Sequence, residues 1–273
     1  MRDVLVTGPF DDLRLRDVRF LEEAAKLGAV QAGLWTDGLI IARKNKPPKF
    51  SFAERLYLLQ ALRYVSTAFA MDEFPPDADL GSGRAPRPAI WAVDEAGDSP
   101  EIRAMCDARG LELRVINSAT LAGFPPLPSP GTVARPEAKR VVVTGCYDWL
   151  HSGHVRFFEE AAAYGDLFVG VGSDANLRRL KGDGHPLFPE AERAYMVQSV
   201  RSVKCAFVAT GRGWMDAEPE IAAIKPHFYV VNEDGDRPEK REFCRQAGIG
   251  YIVLSRTPKP GLPGRDSTAL RGF

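Results

Sequence analysis

Sliding the chain along itself by 137 positions lays Val4-Leu5-Val6-Thr7-Gly8-Pro9-Phe10-Asp11 on Val141-Val142-Val143-Thr144-Gly145-Cys146-Tyr147-Asp148. Val18-Arg19-Phe20 then falls on Val155-Arg156-Phe157, and Glu22-Glu23-Ala24-Ala25 on Glu159-Glu160-Ala161-Ala162. One inserted residue later, Glu54-Arg55 matches Glu192-Arg193, Arg63 matches Arg201 and Cys106 matches Cys244. This period is far longer than the roughly 20–50 residues of stacked solenoid units, so the chain repeats a whole domain. At 273 residues with 45% hydrophobic content it is large enough for two ordinary cores. The expected division is a domain at 1–120, a linker at 121–138 and a second domain at 139–273. Between the copies, Phe124-Pro125-Pro126-Leu127-Pro128-Ser129-Pro130-Gly131 is rich in residues that donate no ladder hydrogen bond, and is expected to be extended.

Strand-like and helix-like patterns alternate within each half. In the second they run through a strand at 140–144, a helix at 154–164, strands at 167–172 and 205–209 around a helix at 190–200, a helix near 217–224, a strand at 227–231, a helix at 237–247 and a strand at 250–254. Such alternation predicts an α/β fold of two tandem Rossmann-like, doubly wound parallel sheets, paired as a pseudo-dimer within one chain. Ligands are expected beyond the carboxyl ends of the strands.

At one such end, His151-Ser152-Gly153-His154 follows the β-branched run Arg140-Val141-Val142-Val143-Thr144 by seven residues. Val155, Phe157, Phe158, Ala161 and Ala162 recur after it at helical spacing, which sets both imidazoles at a helix N-terminus. Unpaired N–H groups and the positive end of the helix dipole favour an anion there. A single histidine in such a place reads equally as a solvated cap or a satisfied core residue. Two of the chain's four histidines in one turn read as donors for a phosphate.

The segment Thr144-Gly145-Cys146-Tyr147-Asp148-Trp149-Leu150-His151-Ser152-Gly153-His154 resembles the nucleotidyltransferase signature, in which a Gly-x-aromatic-Asp turn leads into His-x-Gly-His. From Val141 to Arg271 the chain is similar to the cytidylyltransferase family. Gly145-Cys146-Tyr147-Asp148, Lys181-Gly182, Glu192-Arg193-Ala194-Tyr195-Met196-Val197-Gln198, Gln246-Ala247-Gly248 and Arg256-Thr257 resemble the tandem-domain phosphoethanolamine cytidylyltransferases. Ser173-Asp174-Ala175 with Arg179-Leu180-Lys181-Gly182-Asp183 resembles the heptose-phosphate adenylyltransferases instead.

By this resemblance, an acceptor phosphate attacks the α-phosphorus of a nucleoside triphosphate and releases pyrophosphate without a covalent intermediate. His151 and His154 stabilise the transition state. Thr144, Gly145, Cys146, Tyr147, Asp148 and Gly153 form the nucleotide turn, with Asp148 bracing it rather than acting as a base. Lys181 neutralises the attacking phosphate, although a lysine in a glycine-flanked loop also reads as a solvated charge. Arg193 and Asp174 contact the acceptor; on its own pattern, Arg193 reads as an ion-pairing helix face shared with Arg201. Asn232 and Asp234 face the base, where Asn232 and Glu233 depart from the family's usual residues. Ser267 and Thr268, in Arg265-Asp266-Ser267-Thr268-Ala269-Leu270-Arg271, hold the β- and γ-phosphates at the last helix, or serve as an ordinary N-cap. Mg²⁺ is expected to arrive with the triphosphate, and direct metal ligands are not assigned.

The leading expectation is CMP transfer from CTP to a phosphorylated alcohol of the phosphoethanolamine or glycerol phosphate type. The alternatives are an ATP-dependent adenylyltransferase acting on a sugar phosphate such as heptose phosphate, and a non-catalytic nucleotide-binding or scaffold protein. In the first half, Arg14-Leu15-Arg16-Asp17 stands opposite the His-x-Gly-His turn and removes both imidazoles and the glycine, so that half is expected to be non-catalytic. A formal net charge of +0, from 36 basic and 36 acidic residues, argues against nucleic acid as the main partner. No apolar run is long enough to span a bilayer and no leader precedes Val4, so a cytoplasmic monomer is expected. The four cysteines have neither Cys-x-x-Cys spacing nor a dense framework, which speaks against disulfides and zinc.

Overall fold

The computed structural model describes residues 2–74, 89–133, 135 and 137–270. The chain divides into two compact units, Met1–Phe124 and Pro125–Phe273. The first contains β1 (Asp3–Gly8), β2 (Ala29–Trp35), β3 (Val65–Met71), β4 (Ile90–Asp94) and β5 (Glu112–Ile116), in the sheet order β3-β2-β1-β4-β5. The second contains β6 (Arg140–Gly145), β7 (Asp166–Val171), β8 (Val203–Val208), β9 (Phe228–Asn232) and β10 (Gly250–Leu254), in the order β10-β9-β6-β7-β8. All strand pairs are parallel, and both sheets have one topology when counted from their own first strand. These are the two doubly wound sheets expected from the alternating pattern. Among the described residues, no helix is long and apolar enough to cross a membrane.

The repeat extends to details of register. Thr7 lies opposite Gly33 and Thr144 opposite Gly170, and the pairing slips once in each unit, between Val30 and Gln31 and between Leu167 and Phe168. Cys106 packs with Leu5, Trp91 and Ile102, whereas Cys244 packs with Val142, Phe168 and Tyr229. All four cysteines are free, and burial pushes the Cys244 thiol up to about 11.

Two sequence expectations need correcting. The chain forms an additional helix at Asp174–Lys181, started by Ser173, whose Oγ accepts the Asn176 N–H at 3.3 Å, and ended by Gly182 at φ 90°. It buries only Asn176 and Leu177, so it has no apolar stripe for periodicity to detect. Lys181 is therefore the last residue of a helix rather than part of a loop. The proline-rich stretch is also not extended throughout. Pro130–Val133 makes one helical turn against β8 and the helix Glu218–Ile224, and Cys205 Sγ donates to the Pro128 carbonyl at 3.3 Å. Proline suits the first helical position because its missing N–H would have no partner there.

Beyond β1 and β6 the chain enters the left-handed region, at Phe10 (φ 40°) and Tyr147 (φ 51°). Such backbone is costly for a bulky residue and persists only when its surroundings over-determine it. Gly145 makes room: a Cβ there would come within 2.7 Å of the Tyr147 ring. Asp148 Oδ1 accepts the N–H groups of Leu187 (2.7 Å) and Phe188 (3.1 Å), just as Asp11 accepts those of Lys49 and Phe50. Arg193, 1% exposed, donates to the carbonyls of Cys146 (2.6 Å), Gly172 (2.8 Å) and Phe188 (2.8 Å) and to Asp174 Oδ1 (2.7 Å). Arg55 repeats this on Pro9, Trp35, Phe50 and Asp37. Removing either guanidinium leaves several buried acceptors and a carboxylate without a donor. Arg193→Leu is expected to lose about 3 kcal/mol or more of stability, measured as a shift of the urea midpoint at unchanged m-value.

Candidate functional site

The second sheet changes its direction of winding between β6 and β9, where an α/β fold opens a crevice at the carboxyl ends of its strands. A cavity of about 360 Å³ lies there. Thr144, Gly145, Cys146, Tyr147, Asp148, His151, Gly153, His154, Lys181, Asn232, Asp234 and Ser267 all line it. Residues dispersed over more than a hundred positions are thus brought together by the crossover connections. Asp174 and Arg193 are not part of the lining: they pair with each other, and the guanidinium is committed to backbone carbonyls. The geometry gives Arg193 a bracing role instead of the acceptor contact expected of it. The side chain of Thr268, and Arg271, lie outside the described residues.

The helix Ser152–Ala162 begins at the cavity wall with His151 as its N-cap. His151 Nδ1 accepts the Gly153 N–H at 3.1 Å, which leaves the proton of the neutral ring on Nε2. A Cβ on Gly153 would lie 3.1 Å from this same ring, so glycine permits the close fold-back. The His151 and His154 rings stack at 3.8 Å, 19° apart, and the Tyr147 ring meets His154 edge-on at 5.2 Å. Four buried polar atoms on this lining have no hydrogen-bond partner among the described residues: Tyr147 Oη, His151 Nε2, His154 Nδ1 and Asn232 Oδ1. Each unmade hydrogen bond costs about 1–3 kcal/mol, so a ligand that supplies the missing partners is favoured.

Burial, reinforced by the cations Arg256 and Arg265, holds His151 down at about 3. His154 is also lowered, by burial first, then by His151 and Arg256, with Asp266 and a backbone hydrogen bond to Trp149 opposing. Both rings are neutral at pH 7 and act as dipolar donors or acceptors rather than fixed cations.

Several lining residues were given no role from the sequence, although Arg256 stands in the Arg256-Thr257 stretch that carries the resemblance. Arg256 reaches Asp234 Oδ2 at 2.7 Å, the Arg265 carbonyl at 2.9 Å and Asp266 Oδ2 at 3.4 Å, and so closes one side of the cavity. Asp216 and Lys240 lie on the lining although they are only 9% and 6% exposed. Burial raises the Asp216 carboxyl and lowers the Lys240 ammonium, and each opposes the other's shift. Asn176 clamps this wall, donating to Asp216 Oδ2 (2.9 Å) and the Gly213 carbonyl (3.0 Å) and accepting the Gly213 N–H (2.8 Å). The Arg237 guanidinium lies 5.0 Å over the Trp214 ring on the same side. In sequence, such charged residues look like any solvated helix or loop face.

The last helix, Ser267–Leu270, is a single turn. Asp266, rather than Ser267, caps it, accepting the Ala269 N–H on Oδ1 at 3.4 Å. Ser267 Oγ donates to the Trp149 carbonyl at 3.4 Å and ties this turn to the cavity floor.

The first unit has a cavity of about 590 Å³ at the corresponding place, with different chemistry. The helix Leu15–Ala25 caps itself there, because Asp17 Oδ2 accepts the Arg14 N–H at 2.9 Å. A carboxylate, raised by burial, stands where the second unit has His154.

A buried neutral imidazole stabilises the fold fully above the ordinary histidine value of 6.5, and loses that contribution as pH falls from 6.5 toward about 3. The ligand-free chain is expected to lose about 1 kcal/mol per pH unit below 6.5 through His151. Urea unfolding between pH 7.5 and 5.5 checks this: His151→Asn should flatten the slope, and an unchanged slope would remove His151 as its source.

Residues 142–258 match the cytidylyltransferase-like family. Among curated relatives, the bifunctional protein HldE of Pelobacter propionicus is 40% identical over 98 residues, covering 35% of this chain and 20% of that one. The HldE of Streptomyces coelicolor is 35% identical over 158 residues, covering 55% and 32%. The chain therefore spans only about a fifth to a third of the length of these relatives. Among solved structures, a lipopolysaccharide core biosynthesis protein from Thermoplasma volcanium aligns with a TM-score of 0.39 at 24% identity, covering 44% of this chain and 98% of that one. The family match starts within β6 and runs through the histidine turn to the loop after β10, so it takes in the stretch of the second unit that supplies most of the cavity lining.

Proposed function

We propose that the second unit transfers a nucleotidyl group from ATP, in preference to CTP, to a sugar phosphate and releases pyrophosphate. The observation that carries the transfer reading is the stacked pair of neutral imidazoles at a helix N-terminus, each with an unpartnered nitrogen on the cavity lining. In this reading the acceptor phosphate attacks the α-phosphorus in line, and negative charge grows on the equatorial oxygens. The Nε2–H of His151 and the N–H groups at the start of the helix Ser152–Ala162 donate to that charge without solvent having to reorganise. A phosphomonoester at neutral pH needs no general base to attack, and Asp148 is already engaged by two backbone N–H groups. Lys181, on the lining, neutralises the incoming phosphate.

The nucleotide preference reverses the expectation of CTP. The HldE relatives favour the adenylyl branch of the resemblance, which Ser173–Asp174–Ala175 and Arg179–Asp183 had already suggested. The acceptor class draws on the far wall. Asp216 with Asn176 offers partners to hydroxyl groups, while Lys240 and Arg237 would repel the ammonium of a phosphoethanolamine-type acceptor. Mg²⁺ would come bound to the triphosphate, supplying charge neutralisation through phosphate oxygens and water. The first unit, whose helix N-terminus is filled by Asp17, is proposed to take no part in the chemistry.

His151→Ala or His154→Ala should each lower turnover on the order of 10²–10³-fold with little change in nucleotide affinity, measured as pyrophosphate release. Near-normal turnover in both would remove the assignment, while Arg14→Ala should leave the chemical step intact. Side-by-side kcat/KM values for ATP and CTP, with sugar phosphates and phosphoethanolamine as acceptors, test the substrate reading. A CTP preference would restore the cytidylyl alternative, and no pyrophosphate release with any pair would leave a binding or scaffold role.

A further inference from the structure

Thr144 ends the central strand on the cavity lining, and its side chain is held on two sides. The methyl Cγ2 packs across β7, at 3.2 Å from where a Cβ on Gly170 would stand, so glycine at 170 makes room for it. The hydroxyl lies 2.6 Å from the hydroxyl of Tyr229, on β9. Tyr229 is 1% exposed, packed among Val142, Phe168 and Cys244 and stacked on Tyr251 at 6.1 Å. Neither hydroxyl has a second hydrogen-bond partner among the described residues.

Which oxygen donates follows from this isolation. A phenol is the better donor and the poorer acceptor of the two, and a buried phenol without another acceptor must give its proton to Thr144 Oγ1. Burial also pushes the Tyr229 phenol up, so the proton stays on the ring oxygen. With Tyr229 as donor, the proton of Thr144 is free for an acceptor on its open side, which is the cavity.

The duplication supplies an internal control. Thr7 occupies the same strand position in the first unit, with its methyl 3.3 Å from a Cβ built on Gly33. The residue matching Tyr229, at the same register on the neighbouring strand, is Trp91, which fills the core space without a hydroxyl. The fold therefore accepts a large apolar ring at this position. The hydroxyl is found where the histidine turn is.

We infer that Tyr229 is a positioning residue: its buried hydroxyl turns the Thr144 hydroxyl into a fixed donor aimed into the cavity, for a phosphate oxygen of the bound triphosphate. This rests on the proposed nucleotidyl transfer for the identity of the ligand, but the hydrogen-bond logic requires only a polyphosphate. No bond to the reacting atoms is assigned to Tyr229. Its effect passes through Thr144, so the two residues must be energetically coupled.

A double-mutant cycle on the full chain tests the coupling, with inorganic tripolyphosphate as the calorimetric probe. Thr144→Val should weaken its Kd on the order of 10-fold, and Tyr229→Phe, which keeps the ring, about 3- to 10-fold. In the Thr144→Val background, Tyr229→Phe should change Kd by less than about twofold. Thr144→Ser retains a hydroxyl and should keep most of the affinity, whereas a purely structural Tyr229 would weaken binding whether or not Thr144 carries one. Losses that multiply, or a Tyr229→Phe chain that binds like wild type while Thr144→Val is weakened, overturn the inference. Thermal midpoints of the variants identify any loss due to unfolding, and Thr144→Ser then carries the test. A wild-type chain that binds tripolyphosphate with coupling intact, yet releases no pyrophosphate from ATP or CTP, removes the transfer reading and leaves this one standing.

Discussion

The site depends on a buried guanidinium that touches none of its ligands. Arg193 ties together the turn after β6 at Cys146, the residue after β7 at Gly172, the segment before its own helix at Phe188, and the start of the preceding helix at Asp174. Each is a chain segment leaving the carboxyl end of the sheet, where backbone carbonyls would otherwise lack partners. One planar group with five donors satisfies four acceptors in four directions, which a lysine could not do. With that knot in place, the strained Tyr147 turn and the His151 cap are held at a defined distance from Lys181. The arginine is a cost to bury and is tolerated because its donors are used.

The first unit separates frame from function. Arg55, Asp11 and Phe10 reproduce the knot, the brace and the positive φ, so those features belong to the fold and carry no catalytic meaning by themselves. The difference lies at the mouth of the frame. A carboxylate replaces His154 and fills the helix N-terminus from within, Trp35 stands where the second unit has Gly172, and Trp91 replaces Tyr229. An α/β sheet positions whatever residues sit at its carboxyl end, and these substitutions change the chemistry without disturbing the strand order.

Much of this was legible in the sequence, for reasons that differ from residue to residue. The central strands are buried on both faces and read as unbroken β-branched runs, and the His-x-Gly-His turn is local, so its members stay adjacent in any fold. Asn232, Asp234 and Ser267 were legible only through resemblance, because nothing short of the strand order brings them to His151. Asp216, Lys240 and Tyr229 were not legible at all. A charged or phenolic side chain carries no mark of burial until the partner that compensates it is known, and those partners lie on other elements. The helix Asp174–Lys181 failed for the opposite reason: it is so nearly all polar that the periodic signal is missing, and its Ser173 cap and terminal Gly182 were the only cues.

The charge balance of the cavity bears on how it would receive a ligand. Arg256 is neutralised by Asp234 and Asp266, and Lys240 faces Asp216, so two of the cations on the lining already have carboxylate partners. Its buried unsatisfied groups among the described residues are neutral: two imidazole nitrogens, a phenol oxygen and an amide oxygen. An anion must therefore compete with carboxylates for Arg256. A ligand with both anionic oxygens and neutral donors matches the set better. On the proposed reading, charge that grows during transfer would raise the affinity of His151 and His154 for protons as it develops, since the opposing effects are burial and neighbouring cations. The same burial that costs the chain stability in acid would then strengthen their interaction with the transition state more than with the ground state, which is what catalysis requires.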